Sequence, residues 1–260
     1  MELFDSHTHI DMRHFNKDRD SVMERARKAG VVVVVDVGCD LASSEAAIAL
    51  AERYDEVFAT VGFHPHSAAE MGNGDIDRLA ELARHPRVVA IGEIGLDFYR
   101  NLSPREAQVD AFKKQLDLAR ELDLPVVIHS RQASDEVFDI LSRWAGGSSR
   151  PPGVLHCFSG DRELGRRYID MGFLLSIAGP VTYTKSSAVD IACHLPLEKL
   201  LIETDAPYLS PHPYRGKRNE PAFVYEIADK IAQLQSQNRE EVAAITTSNA
   251  ARLFSWGEVV

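Results

Sequence analysis

The chain has 260 residues, of which 45% are hydrophobic and 26% are charged, and its formal net charge is −10 at pH 7. This composition is typical of a globular protein with a sizeable core, and no apolar run approaches the ~20 residues of a membrane span. The acidic balance argues against a protein that coats duplex nucleic acid, because such proteins carry a basic face. It does not exclude a phosphate-bearing substrate, since metal ions and a few local arginines can set the field inside one pocket.

The N-terminus leads directly into a predicted strand, with no basic segment followed by an apolar one. We therefore expect no signal peptide and a cytoplasmic protein. Cys39, Cys157 and Cys193 are odd in number, widely spaced and without a CxxC pair. Their pattern argues against both a disulfide framework and a cysteine-based zinc site, so we expect reduced thiols.

Short β-branched runs alternate with amphipathic segments along the chain. Val22, Ala26 and Ala29 share one helical face, and Gly30 stands where a C-terminal helix glycine is expected. The five valines at 31–35 show no alternation, which predicts a strand buried on both faces, as in a parallel sheet. Besides the N-terminal strand, further strands are predicted at 31–35, 56–62, 87–91, 125–129, 153–156, 173–177 and 200–205.

The helices are predicted from apolar residues that recur on one face. The clearest one starts at 103–106, where Ser-Pro-Arg-Glu has the pattern of a capping box with proline at the first helical position. The turn-rich connection at 146–153 is not a domain linker, because the same rhythm resumes after it. The other predicted helices lie near 22–29, 41–54, 75–84, 137–144, 164–171, 221–235 and 239–254.

Eight strands that alternate with helices at roughly 30-residue spacing predict one α/β domain over residues 1–260, a (β/α)8 TIM barrel. A doubly wound open sheet is the alternative. It loses support because no Gly-x-Gly-x-x-Gly loop follows the first strand. In a barrel, the active site lies at the C-terminal ends of the strands.

Histidines and carboxylates recur at these predicted strand ends. In an extended strand alternate side chains share a face, so that His7 and His9 can both point at one ion. A single His-x-His pair matches by chance, and a single strand-end histidine is more often a hydrogen-bonded core residue. Repetition on strand after strand indicates a divalent metal centre. The strand-end residues are His7, His9, His64, Glu93, His129, His156, Glu203 and Asp205.

Eight segments of the sequence form a set of motifs. They are HTH at 7–9, GFHPH at 62–66, GEIGLDF at 92–98, IHSR at 128–131, LHCFSG at 155–160, LIETDAPYL at 201–209, RGKRNEPAF at 215–223 and TTSNAARLF at 246–254. Together they resemble the TatD family of metal-dependent hydrolases, in the amidohydrolase superfamily, and the resemblance extends from one end of the chain to the other. It implies a barrel fold and a two-metal phosphodiesterase, a deoxyribonuclease or exonuclease that acts on nucleic acid ends. Members of the wider family are also linked to deacylation of D-aminoacyl-tRNA.

The same resemblance implies a ligand set in which no position departs from the family pattern. Glu93 would bridge two ions, and His64 and Glu203 would lie near the reacting phosphate as donor and as hydrogen-bond or water-orienting partner. Histidine ligands favour Zn²⁺ or Mn²⁺, whereas Mg²⁺ is the ion usually associated with nucleases, so both possibilities stay open. The first ion would be held by His7, His9, Glu93 and Asp205, and the second by Glu93, His129 and His156.

Basic residues near the predicted site are candidate phosphate ligands. Arg131 follows His129, and its alternative is a surface arginine paired with Asp135. For the run after the eighth strand the alternative is a solvated basic loop, and Asn219 and Asn249 also suit caps or turns. The candidates in that run are Arg215, Lys217, Arg218 and Asn219.

These patterns predict a metal-dependent hydrolase of nucleic acid phosphodiesters. We expect a 3′-to-5′ exonuclease or DNase on single-stranded or damaged DNA, with RNA as a further substrate. Asp205 is the candidate metal ligand and proton acceptor, with Glu203 and His64 completing the catalytic set. The alternatives are an amidohydrolase or ester hydrolase of a small molecule or D-aminoacyl-tRNA, and a barrel that binds without catalysis. We expect a single-stranded or end-frayed nucleic acid partner and no membrane, and the oligomeric state, a monomer included, stays open.

Overall fold

The computed structural model describes residues 1–146 and 151–257. Its eight strands form one sheet in the order β1-β2-β3-β4-β5-β6-β7-β8. The strands are β1 Leu3–Thr8, β2 Val31–Val37, β3 Val57–Val61, β4 Val88–Asp97, β5 Val126–Arg131, β6 Gly153–Leu155, β7 Leu174–Ile177 and β8 Leu200–Ile202.

Helices alternate with these strands. The neighbouring pairs β3–β4, β4–β5, β5–β6 and β7–β8 are all parallel. Eight strands in sequential order with intervening helices are the topology of a (β/α)8 barrel, so the predicted fold class is confirmed. The helices are α1 Arg19–Lys28, α2 Leu41–Arg53, α3 Asp75–Ala83, α4 Arg105–Glu121, α5 Ser134–Trp144, α6 Arg162–Asp170, α7 Ser187–His194, α8 Val224–Gln235 and α9 Arg239–Phe254.

The chain is organised as two compact units. Unit 1 contains Met1–Val35, Cys157–Asp170 and the described residues from Leu174 onward. Unit 2 contains the described residues between Asp36 and His156, together with Met171–Phe173. Within the described residues, no helix is both long enough and apolar enough to cross a bilayer.

In unit 1, the apolar side of β1 packs against the C-terminal helix. Phe4 is 1% exposed, and its ring stacks on that of Phe254 at a centroid distance of 5.8 Å. The buried amide of Asn249 on α9 donates to the carbonyl oxygens of Leu197 and Leu200, each at 2.9 Å. These bonds tie α9 to the backbone that leads into β8.

In unit 2, buried glutamines on α4 hold the loops that follow two strands. Gln115 accepts a hydrogen bond from the Phe63 N–H at 2.7 Å and donates to the Phe63 carbonyl at 3.1 Å. Gln108 accepts from the Asp97 N–H at 2.9 Å and donates to the Ser103 carbonyl at 2.8 Å. Because buried backbone groups need partners, these amides fix the chain just beyond β3 and β4.

Several predicted features of the elements are confirmed. The valine run lies in β2, and Val33, Val34 and Val35 are all fully buried. Gly30 has φ +89° and its N–H donates to the Arg27 carbonyl at 3.0 Å, as expected of a residue that ends α1. Four residues of the predicted connection at 146–153 lie outside the described residues.

The predicted capping box at 103–106 is wrong. α4 begins at Arg105, and its N-cap is Pro104, which makes no side-chain capping bond. The Ser103 hydroxyl instead donates to the His66 carbonyl at 2.8 Å and accepts from the Ala69 N–H at 3.0 Å. The Ser103 hydroxyl therefore bonds to backbone groups that are distant in the chain, and not to the first turn of α4 as the local pattern predicts.

One further helix and the ends of two strands differ from the predictions. Helix α7 was not predicted, and β8 ends at Ile202, before Glu203 and Asp205. β4 continues to Asp97, so that Glu93 lies inside the strand and not at its end. The β4–β5 register shifts between Ile91 and Ile94, which is an irregularity around Glu93.

The close approach of β4 and β5 at Gly95 generates a prediction about stability. Gly95 has φ +140°, and a Cβ atom built there would overlap the carbonyl oxygen of His129 and lie 2.9 Å from its carbonyl carbon. We expect Gly95→Ala to lower the free energy of unfolding by at least about 3 kcal/mol, from overpacking and backbone strain together. Urea denaturation followed by circular dichroism measures this loss.

Gly74→Ala is the matched control. Gly74 also has a positive φ, +93°, but no atom lies within 4 Å of a Cβ built on it. This variant carries the backbone strain alone, about 1–2 kcal/mol. Equal losses in the two variants would show that the strand contact at Gly95 has no special cost.

Candidate metal centre

In unit 1, a first ligand group consists of His7, His9 and Asp205. His7 lies near the end of β1 and is 0% exposed, and His9 directly follows the strand and is 5% exposed. Their Nε2 atoms lie 3.3 Å apart. The Oδ1 atom of Asp205 lies 3.9 Å from the Nε2 of His7 and 3.6 Å from that of His9. The predicted strand-end pair therefore points at one carboxylate.

The backbone of Asp205 adopts a left-handed conformation, with φ +55°. Its N–H donates to the His7 carbonyl at 3.0 Å, and its own carbonyl accepts from the Tyr208 N–H at 2.8 Å. A non-glycine residue keeps such a conformation only where its surroundings determine it. These two bonds thus direct the Asp205 carboxylate toward the histidine pair.

Asp5 anchors the segment that carries Glu203 and Asp205. It is fully buried, and its carboxylate accepts hydrogen bonds from the Thr204 N–H at 2.8 Å and the Thr204 hydroxyl at 2.6 Å. Burial raises the pKa of Asp5 well above its ordinary value, against the lowering effect of the bonds from Thr204. Asp5 was not among the predicted site residues, although period-two alternation places it on the same face of β1 as His7.

Glu203 is fully buried in unit 1, where its Oε1 accepts the Cys157 N–H at 2.7 Å. Cys157 has φ +43°, so this bond accompanies another left-handed residue just after β6. The bond fixes one carboxylate oxygen of Glu203.

In unit 2, a second ligand group is centred on Glu93. Its Oε1 lies 2.7 Å from the Nδ1 of His129, 2.9 Å from the Nε2 of His156 and 3.6 Å from the Nε2 of His64. The His129 Nδ1 and His156 Nε2 atoms are 3.4 Å apart. The side chains of these residues are at most 14% exposed. Four residues predicted from strand ends are therefore brought together.

The spacing of the ligand atoms fits divalent cations. Ligands about 2.1 Å from an ion lie about 3.0 Å apart in an octahedral shell and about 3.4 Å apart in a tetrahedral one. In unit 1 the three atoms are separated by 3.3, 3.6 and 3.9 Å. In unit 2 the three shortest separations are 2.7, 2.9 and 3.4 Å. Mixed histidine and carboxylate donors are the chemistry that Zn²⁺ and Mn²⁺ accept.

Asp97 is a second buried carboxylate on β4, which the sequence analysis did not single out. Its Oδ2 lies 2.9 Å from the Nε2 of His66 and 3.2 Å from the Nε2 of His129. Burial alone would raise its pKa, but hydrogen bonds from His129, the Arg100 N–H and His66 outweigh burial and hold the pKa well below its ordinary value. Asp97 is thus an ionised acceptor, and period-two spacing from Glu93 was the signal for it.

The two carboxylates orient the ring of His129. With Nε2–H donated to Asp97, the Nδ1 atom faces Glu93 as the available metal ligand, an arrangement common around protein-bound metals. Burial lowers the pKa of His129, but the bonds to Asp97 and Glu93 raise it to a net value above the ordinary one. An ion at this group must therefore compete with a proton.

His64 has a tautomer defined by its backbone contact. Its Nδ1 accepts the His66 N–H at 3.0 Å, so a neutral ring carries its proton on Nε2. That Nε2–H is a hydrogen-bond donor near Glu93 and is not a free lone pair for a metal.

The candidate phosphate ligands differ in whether their side chains already have partners within the chain. Arg131 is exposed and lies 4.1 Å from the centroid of the Tyr99 ring, and in the described part of the chain it forms no ion pair with Asp135. Arg218 binds both carboxylate oxygens of Asp18, at 2.8 and 2.7 Å, and the His14 carbonyl at 2.7 Å. This use of its donors favours a structural role for Arg218.

Of the remaining residues in the basic run, Asn219 is buried and hydrogen-bonded within the chain, whereas Arg215 and Lys217 are exposed. Asn219 is fully buried and donates to the carbonyls of Thr204 at 2.7 Å and Tyr208 at 2.6 Å, which favours the turn alternative. Arg215 is exposed and lies 4.4 Å from the centroid of the Tyr183 ring. Lys217 is also exposed.

Residues 4–255 match the model of a family described as TatD related DNase. The chain belongs to the TatD family. A TatD-family relative in Bacillus subtilis, the metal-dependent hydrolase YabD, is 42% identical over 97% of this chain and 98% of its own length. A relative in Salmonella typhimurium, named 3′-5′ ssDNA/RNA exonuclease TatD, is 38% identical over 97% of this chain and 98% of its own.

The crystal structure of YJJV, a TatD homologue from Escherichia coli K12, has the same fold. It superposes with a TM-score of 0.91 at 31% identity and covers 97% of this chain and 98% of its own. The predicted family is therefore confirmed. A TatD-family chain with His, Asp and Glu clusters of this spacing is a metal-dependent hydrolase.

Asp97→Asn tests how this TatD-family chain orients His129. The asparagine keeps an oxygen for the N–H groups of Tyr99 and Arg100 but removes the charged acceptor of His129. We expect zinc affinity at the unit 2 group to fall about 10- to 100-fold, the usual cost of losing such an acceptor. Competition with a chromogenic chelator measures it, with circular dichroism to check the fold.

Asp135→Asn is the control, because it removes an exposed carboxylate from the first turn of α5. It should leave zinc affinity unchanged. If Asp97→Asn bound zinc as tightly as Asp135→Asn, the role given to Asp97 would be refuted.

Proposed function

We propose that this protein hydrolyses phosphodiester bonds of single-stranded DNA and RNA as a 3′-to-5′ exonuclease. The observation that carries the proposal is the pair of histidine–carboxylate groups whose ligand atoms are spaced for divalent ions. Family membership gives the reaction class, since the family is described as a DNase family. Relatives in Salmonella and Citrobacter named 3′-5′ ssDNA/RNA exonuclease support the substrate and the polarity.

We propose two divalent ions per chain. His7, His9 and Asp205 would hold one, and Glu93, His129 and His156 would hold the other. The family resemblance also assigns Glu93 to the first ion, and that assignment rests on the resemblance. Zn²⁺ and Mn²⁺ suit the histidine nitrogens, whereas Mg²⁺ prefers oxygen ligands, so the activity test includes all three ions.

Divalent ions bound there would lower the pKa of water and offset the charge that develops on the phosphate. In this proposal the Asp205 carboxylate accepts a proton from the attacking water while the water oxygen bonds to phosphorus and the bond from phosphorus to the leaving sugar oxygen breaks. The proton on Asp205 then passes to that leaving oxygen. Glu203, with Oε1 held by the Cys157 N–H, offers its other oxygen to orient that water. His64 donates its Nε2–H to a phosphate oxygen, in keeping with its tautomer.

We also propose that residues 1–260 act as one functional domain. The family model covers 4–255 without interruption, and each ligand group takes its residues from segments far apart in the chain. Neither half of the sequence carries a full ligand set by itself.

The central experiment uses 5′-labelled single-stranded DNA and RNA with Mg²⁺, Mn²⁺ or Zn²⁺. We expect progressive shortening from the 3′ end, full loss of activity in EDTA and no cutting of circular single strands. Cleavage of the circles would show an endonuclease. Turnover of a small ester without any shortening of nucleic acid would refute the proposed substrate class.

Replacing one ligand at a time tests the roles of the two groups. We expect Glu93→Ala to lower kcat more than about 1000-fold, because it removes the carboxylate that the family resemblance assigns to both ions, each worth several kcal/mol of stabilisation. His7→Ala should cost less, because it weakens only one ion. Steady-state kinetics and metal content per chain measure both effects.

His194→Ala provides the control. His194 lies at the end of α7 beside Asp190, and its side chain is 45% exposed. It should keep wild-type kcat and metal content. Normal turnover with two ions in Glu93→Ala would contradict the bridging assignment.

The acidic net charge generates a prediction about salt. Arg131, Arg215 and Lys217 are exposed, whereas Arg218 is paired with Asp18. Each single-strand phosphate neutralised contributes about 0.7 to the log–log slope, so three or four contacts give about −2 to −3, and we expect a slope no steeper than about −3. Oligonucleotide binding between 50 and 200 mM salt, in EDTA, measures this slope, and a steeper value would require a longer basic track.

A further inference from the structure

An exposed aromatic ring projects from the loop at 98–104, which joins β4 to α4 and is called the β4–α4 loop here. Tyr99 is 56% exposed, and Leu102 in the same loop is 66% exposed. Large exposed side chains of this kind are few among the described residues, where Met1 and Tyr208 are the other two. An aromatic ring that stays in water at such a position suggests a binding role.

One arginine lies over this ring, and two more lie within or next to the β4–α4 loop. The Arg131 guanidinium lies 4.1 Å from the centroid of the Tyr99 ring, and that of Arg105 lies 4.1 Å from the centroid of the Phe98 ring. Arg100 follows Tyr99 directly. Across residues 1–146 and 151–257, no carboxylate lies within 4.0 Å of any of these three guanidinium groups. In a chain of net charge −10, three guanidinium groups without an ion pair at one loop favour an anionic ligand.

The β4–α4 loop is held in one conformation by hydrogen bonds. The Oδ1 of Asp97 accepts the N–H groups of Tyr99 at 3.0 Å and Arg100 at 2.7 Å. The Phe98 N–H donates to the Arg131 carbonyl at 2.9 Å, which ties the loop to the end of β5. A ring presented by an ordered loop loses little conformational entropy when a ligand packs on it.

The same aspartate connects the loop to the unit 2 ligand group. Its Oδ1 holds the loop, and its Oδ2 lies 3.2 Å from the Nε2 of His129. The ring of Tyr99 is therefore placed by the carboxylate that also orients a proposed metal ligand.

We propose that Tyr99 is a base-stacking site for single-stranded nucleic acid, with Arg131 on one side of the ring and a nucleobase on the other. Arg100 and Arg105 attract the flanking phosphates. This inference rests on the proposed function and adds to it a contact with the base itself. Every nucleobase has a π face, so such a site accepts any sequence while it rejects a strand without bases.

Two oligomers of equal charge separate base contacts from phosphate contacts. One is a thymidine decamer, and the other is a decamer of abasic tetrahydrofuran nucleotides with the same number of phosphates. We expect wild-type protein to prefer the thymidine decamer about 10-fold in kcat/KM, the scale of one stacked base. Fluorescence anisotropy in EDTA, where no cleavage occurs, gives the same comparison for binding.

Variants of the loop then locate the preference. Tyr99→Ala should abolish the preference for the thymidine decamer by raising its KM. Tyr99→Phe should keep the preference, because stacking needs the aromatic ring and not the hydroxyl. Tyr99→Leu tests apolar contact without a π face and should abolish the preference. Leu102→Ala removes an exposed apolar side chain from the same loop and should keep it. Arg100→Gln should weaken both decamers by the same factor, since it acts on phosphates.

Three outcomes would overturn the inference. If Tyr99→Ala retains the preference, the stacking site is refuted while the proposed function stands. If Tyr99→Leu matches the wild type, the contact is apolar and not stacking. If the wild-type protein degrades neither decamer with any of the three ions, the proposed function fails and the inference fails with it.

Discussion

Both ring nitrogens of His129 face a buried carboxylate, and much of unit 2 is organised around that contact. Glu93 and Asp97 lie on one face of β4, and a buried anion is tolerated only with partners that compensate its charge. Asp97 obtains them from His66, His129 and the N–H groups of its own loop. Glu93 has three imidazole rings around one oxygen, which is an arrangement that a divalent ion would satisfy better than protons do.

Unit 1 also contains a buried carboxylate, Asp5, and compensates it with different groups. Asp5 is buried beside Thr204 and serves as the anchor of the segment that turns Asp205 toward the histidine pair. The segment that follows Asp205 is bound at its far end to helix α1, because Arg25 binds both carboxylate oxygens of Glu220, at 2.8 and 2.6 Å. The ligands proposed for the first ion therefore depend on side chains that never touch an ion, which preorganise them.

The distribution of charge explains how an acidic chain can handle an anionic polymer. Several of its arginines face carboxylates, as Arg218 faces Asp18 and Arg78 faces Glu45. At the β4–α4 loop, Arg131 lies over the ring of Tyr99 and Arg105 over that of Phe98 instead. The net charge thus limits long basic tracks but says little about the field at one loop, since fields over short distances depend on the nearest charges.

The sequence by itself determined the order of the strands and of all the helices except α7, and it supplied the candidate ligand residues. Those follow from local periodicity, as in the valine run of β2, and from residue chemistry repeated at strand ends, as in His7 and His156. Only the tertiary structure decided which partner each polar group takes. Ser103 bonds to His66 and not to its own helix, Arg218 and Asn219 bond within the chain, and Asp97 becomes the acceptor of His129. A side chain's hydrogen bonds depend on groups brought near by folding, and local sequence does not encode their distance.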